Sequence, residues 1–183
     1  MVSLDSRTLD SLFQRGRWLT FPDFVRIVEG GHPHDEPGLP RAVLDAYAQA
    51  LVDDLGGAAP FTVEALERRI QRHLTDDGWS RLTVHEVGDD RISYYPPAWH
   101  DKLTDETDPR EYVAVMQEDV DPTAADASSR FHPRVPKEHL LNAMVVLGGM
   151  SRQGATERID DLRKRGELLV YPFQNPEADV LLP

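Results

Sequence analysis

Pro136-Lys137-Glu138-His139-Leu140-Leu141-Asn142-Ala143-Met144 opens the stretch whose reading decides the fold; Gly148-Gly149, Ser151 through Arg165, Gly166 and a β-rich tail ending at Pro183 complete it. Pro136 suits a first helical position, where its missing N–H has no intrahelical partner to lose. Leu140, Leu141, Met144 and Leu147 fall at helical spacing, and Gly148-Gly149 ends that predicted helix. Ser151 is a good N-cap for a second helix, whose buried stripe would be Ala155, Ile159 and Leu162. Past Gly166, Leu168 to Tyr171 with Phe173 reads as a strand, Gln174-Asn175-Pro176-Glu177 as a turn, and Val180-Leu181-Leu182 as the returning strand.

Helix, short turn, helix and β-hairpin in that order resembles the winged helix-turn-helix superfamily. The resemblance implies a mainly α chain with β-hairpins (α+β), built from winged-helix-like units. It also implies a DNA-binding regulator, commonly a homodimer, whose second helix enters the major groove. At about 100° per residue, turning Ala155, Ile159 and Leu162 inward leaves Gln153, Glu157, Asp160, Asp161 and Lys164 outward. Three of those five are carboxylates, which phosphates repel. An approach through the first turn and one flank leaves Arg152, Gln153, Thr156 and Arg163 as the candidate DNA-binding residues. The same pattern suits a solvated face with local ion pairs. Many winged helices bind proteins instead, so a protein–protein adaptor is the alternative reading.

Length and charge bound these readings. A chain of 183 residues holds one domain or two small ones. No apolar run approaches the roughly 18 to 20 residues that cross a bilayer, and the N-terminus lacks the pattern of a secretory signal. Cysteine is absent, so there is no disulfide framework, thiolate metal site or thiol nucleophile. The expected location is cytoplasmic, with no membrane partner. Net charge is −12, with 17 Arg against 3 Lys and 20 Asp against 12 Glu, a composition that resembles salt-adapted (halophilic) proteins. In ordinary salt such an acidic balance argues against nucleic-acid binding. In molar salt the Debye length is only about 3 Å, and long-range repulsion fades.

Outward from the C-terminal stretch, the rest of the chain repeats its logic. Leu4, Leu9, Leu12 and Phe13 predict a short helix closing at Gly16. Thr20 with Asp23 resembles a capping box, and Leu19 with Phe24 a hydrophobic staple, for a helix that Gly30-Gly31 ends. Leu39, Val43, Leu44, Tyr47 and Leu51 predict a helix over 39–55. Thr62 begins another, with Val63, Leu66, Ile70 and Leu74 inward and Gly78 closing it. Arg81 to Val87 and Arg91 to Tyr95 bracket Gly88-Asp89-Asp90 as a hairpin. Two helices and a hairpin again suggest a winged-helix-like unit, without any residue-level repeat. Arg68, Arg69 and Arg72 form the best basic cluster, and their alternation with Glu64 and Glu67 predicts an ion-paired, solvated face. Asp108-Pro109-Arg110-Glu111 is a helix start. Composition then divides the chain into a helical N-terminal domain over 1–117, an acidic linker over 118–134 and a C-terminal unit over 135–183.

Chemistry-bearing motifs are few. His32-Pro33-His34-Asp35-Glu36 offers two histidines and two carboxylates, as a metal site would. Its proline and glycine punctuation reads equally as an exposed loop, and no third ligand falls at a recognisable spacing. There is no phosphate-binding loop, nucleophile elbow or His-Glu-x-x-His helix. The chain is therefore read as non-enzymatic, with no metal and no cofactor; a small metal-dependent enzyme using His32 and His34 is the distant alternative.

Overall fold

Side-chain caps start several helices in the computed structural model, which describes residues 2–119, 134–171 and 178–183. The chain divides into two compact units, Met1–Pro97 and Ala98–Pro183. Both are helix-rich, and each carries one small three-stranded antiparallel sheet, an α+β arrangement.

In the first unit, α1 (Ser6–Arg15) begins where the Asp5 carboxylate accepts from the Thr8 N–H at 2.8 Å. The start of α2 (Phe21–Gly31) is half of the predicted box: Thr20 accepts from the Asp23 N–H, but the Asp23 carboxylate takes the Thr20 hydroxyl, at 3.0 Å, in place of the Thr20 N–H. Leu19 and Phe24 are both buried beside it. Then come β1 (Leu39–Pro40), α3 (Arg41–Leu55), α4 (Val63–His73), β2 (His85–Glu86) and β3 (Arg91–Ser93). The sheet order is β1-β3-β2, with Leu39 and Glu86 on either side of Ile92. Phe24, Leu39, Leu44, Tyr47, Leu51, Leu66, Ile70 and Ile92 fill the core beneath it. Each such buried side chain contributes about 1.5–3 kcal/mol of transfer free energy.

Two elements differ from the sequence reading. Leu39 is not the first turn of a helix; it precedes Pro40, whose ring disfavours the helical region for the residue before it, so Leu39 extends and pairs as a strand. α4 ends at His73, not Gly78, because Leu74 turns into an isolated parallel bridge with Val84.

The second unit contains α5 (Pro97–Leu103), α6 (Pro109–Asp119), β4 (Val135–Pro136), α7 (Lys137–Val146), α8 (Arg152–Lys164), β5 (Leu169–Tyr171) and β6 (Asp179–Leu181). Its sheet order is β4-β6-β5, with Val135 and Val170 flanking Val180. Pro136 is the last residue of β4 and sits just before α7, not at its first turn, again with the preceding residue extended. Ser151 caps α8 by accepting from the Gly154 N–H at 3.0 Å. Asp108 accepts from the Arg110 N–H at 3.0 Å to start α6. Trp99 is buried and donates its indole N–H to Asp119 at 2.8 Å. α6 packs on α7 and α8, so packing sets the division at Pro97, whereas composition changes near 118. Apart from Glu118, Asp119 and Arg134, the predicted linker lies outside the described residues, as does the predicted turn at 174–177.

Both units run leading helix, helix, strand, helix, helix, hairpin, and in both the first strand pairs with the last. In the second unit a tight joint follows α7. A Cβ placed on Gly148 would lie 2.5 Å from the Glu106 carbonyl oxygen and 2.5 Å from the Tyr112 hydroxyl. Gly148→Ala is expected to destabilise the protein by about 1–3 kcal/mol through this overpacking. Gly57→Ala, where a Cβ meets nothing within 4 Å, serves as the control. Equal denaturation midpoints for the two variants would contradict the packing of this joint.

Candidate nucleic-acid interface

The four residues expected to read DNA lie on α8, and each has a partner within the chain. The Arg152 guanidinium donates to the Asn142 side-chain oxygen at 3.0 Å and pairs with Glu138, both on α7. Gln153 donates to Glu157 at 2.9 Å, and the Thr156 hydroxyl donates to the Arg152 carbonyl at 2.9 Å. Arg163 lies 3.9 Å from Asp160. Arg152, Gln153 and Thr156 share the first turns of α8, while Arg163 stands about three turns further on. The inward stripe is as the periodicity requires: Ala155, Ile159 and Leu162 are all buried. Arg152 and Glu138 are each about half exposed, and an exposed ion pair contributes at most about 1 kcal/mol. An incoming phosphate or base edge can therefore replace it.

α4 holds the corresponding place in the first unit and is arranged differently. The ion-paired face expected of Arg68, Arg69 and Arg72 does not form: none of the three makes an ion pair with a described residue, although Glu64 stands four residues before Arg68. The glutamates are engaged elsewhere. Glu64 is held below the usual carboxylate range by its own backbone N–H and then by the Thr62 hydroxyl. Glu67 accepts from Gln71 at 3.0 Å and pairs with Arg41, and these contacts likewise lower its pKa. Arg41, at the start of α3, also reaches Asp90 at 2.6 Å and Glu86 at 3.7 Å on the hairpin. Sequence reasoning missed Arg41, because its partners lie on α4 and the hairpin and no local spacing connects them.

The histidine loop is tied down by its own backbone. His34 lies 2.9 Å from the Glu29 carbonyl through Nε2 and 2.9 Å from the Glu36 carbonyl through Nδ1. His32 meets the Tyr47 hydroxyl at 3.2 Å. Among the described residues no group of three or more His, Cys, Asp or Glu is placed to hold a metal ion. No helix among them is long and apolar enough to cross a membrane. Compared with protein-family models, curated proteins and solved structures, the chain matches none.

Beside this loop, the Glu29 carboxyl is buried and ties α2 to the root of the hairpin. It accepts from the Ser93 hydroxyl at 2.6 Å and from the Tyr94 N–H at 2.8 Å. Burial raises its pKa to about 7; the Ser93 and Tyr94 hydrogen bonds oppose that rise, as do the charges of His34 and Arg91. A carboxyl that keeps its proton to about pH 7 when folded, but to about 4.5 when unfolded, favours folding at low pH. Its contribution, on the order of 3 kcal/mol, is complete below pH 4.5 and is lost as pH rises to about 7. Glu29→Gln should remove that slope. Denaturant melts of parent and variant between pH 4.5 and 8 check this, and parallel stability profiles would refute it.

Proposed function

We propose that the chain is a pair of winged-helix units acting in DNA-linked regulation, as a DNA-binding transcriptional regulator or a close functional relative. One observation carries this reading. Each unit places a helix pair between a first strand and a closing hairpin, and zips the first strand to the last. That topology leaves the outer face of the second helix of each pair exposed beside the hairpin, where a groove of duplex DNA can receive it. In the second unit, base contacts would come from Arg152, Gln153, Thr156 and Arg163, with Arg152 exchanging Asn142 and Glu138 for DNA. Glu157, which accepts from Gln153, and Asp161 are exposed on the same helix and would be repelled by phosphate.

A protein–protein adaptor is the second reading, and a specific observation favours it. The exposed stripe of α8 is dominated by carboxylates, and its basic residues largely have partners within the chain. A basic partner surface would complement that stripe better than phosphate does.

Selection from a random duplex library, at the high salt this composition suggests, separates the two. DNA reading predicts an enriched sequence, and Arg152→Ala should weaken binding to it by about 1–3 kcal/mol, as for a lost bidentate base contact. Glu157→Ala and Asp160→Ala should leave that binding unchanged or strengthen it, since each removes a repelled charge. If no sequence is enriched, and the two acidic replacements disrupt a protein complex, the adaptor is correct.

A further inference from the structure

We infer that the outer face of α4, carrying Arg68, Arg69 and Arg72, is a docking surface for the phosphate backbone of duplex DNA. It is separate from α8 and independent of base sequence. The inference rests on the DNA-linked reading above but assigns the electrostatic hold to the other unit.

The two helices have the same formal charge, so net charge does not distinguish them. α4 has three arginines less two glutamates, with His73 neutral, and α8 has four basic residues less three acidic, each giving +1. Placement distinguishes them. At about 100° per residue, Arg68, Arg69 and Arg72 fall within one sector about 100° wide, with exposed Arg68 and Arg72 opposite the buried Leu66 and Ile70 and half-buried Arg69 on the flank. They line an open depression with Ala65 and Gln71. Glu64 and Glu67 fall to one side of that sector, and Glu67 is already held by Gln71 and Arg41.

The nearby hairpin carboxylates are also accounted for. Arg41 holds Glu67, Glu86 and Asp90 together, so three negative charges beside the face share one cation and are turned toward it. On α8, by contrast, Arg152, Arg163 and Lys164 each pair with a carboxylate, and Arg158 alone of its four basic residues has no ion pair among the described residues. Guanidinium groups with no ion pair among the described residues suit phosphate oxygens, because they give up none of those pairs on binding and their planar fork matches a phosphate. Three such groups within little more than one helical turn can each take one phosphate of a backbone that carries a charge at every nucleotide.

The test is fluorescence anisotropy of the full chain with a labelled random-sequence duplex, across a series from 0.1 to 2 M KCl, with folding at each salt checked by circular dichroism. The parent should bind with a salt-dependent constant. Arg68→Ala/Arg69→Ala/Arg72→Ala should weaken binding at least tenfold at the lowest salt at which both fold. It should also reduce the slope of log K against log salt by about 3, at roughly 0.9 per phosphate contact. Lys102→Ala, an exposed cation on neither α4 nor α8, should leave the random-duplex slope unchanged. The Lys replacement of all three arginines should restore most of the slope, which separates charge from any structural effect. A triple Ala variant that folds and binds like the parent would overturn the inference while leaving DNA binding intact. A parent that retains no duplex at any salt would overturn both this inference and the function on which it rests.

Discussion

Leu39 lies against Ile92, and Val135 against Val180, and on those two short antiparallel pairings the arrangement of each unit depends. All four side chains are buried. Each pairing joins the strand that enters a helix pair to the strand that leaves the following hairpin. The chain between them is therefore fixed at both ends. α3 with α4, and α7 with α8, must bury their apolar stripes against the inner side of that closure, and their opposite faces are left outward. Without the pairing, the hairpin would be an isolated two-stranded ribbon, which is marginal in water on its own.

These closures were the part of the fold hardest to see in the sequence. α8 was legible because Ala155, Ile159 and Leu162 repeat at helical spacing after a serine cap, and the Thr20 and Asp108 starts were legible for similar local reasons. β1 and β4 are two residues long, too short for any alternation to register. A local signal did exist: each ends in proline, and proline biases the residue before it toward extended backbone. Periodicity from Val43 onward and the helical start favoured by Pro136 outweighed it. Their partners lie 53 and 45 positions away along the chain, a separation no window can span.

The electrostatics of the candidate site were readable only in part. Spacing put Glu64 within reach of Arg68, and an ion pair followed naturally from that. The folded chain makes no ion pair between Glu64 and Arg68 among the described residues, and gives Glu67 to an arginine 26 residues earlier. Pairings set by tertiary neighbours thus decide which cations remain available. The net charge of −12 is an average over a surface on which carboxylates are gathered around Arg41 and the α4 arginines are left apart. For the same reason α8, with an identical formal charge, presents a different surface.

Pro40 and Pro136 have one more effect. β1 and β4 are outer strands of their sheets, so one long side of each faces away from its neighbour. Proline has no N–H to offer along that side, and a bare strand edge is where a second chain adds itself by backbone pairing. Each sheet is thereby blunted on the margin that would otherwise be most open to runaway stacking. The opposite margin of the second sheet, β5, keeps its backbone donors and carries the exposed Leu169 and Tyr171. Any self-association through strand addition in that unit is directed to one side, and a chain extended on one side only can form a closed pair instead of an endless fibre.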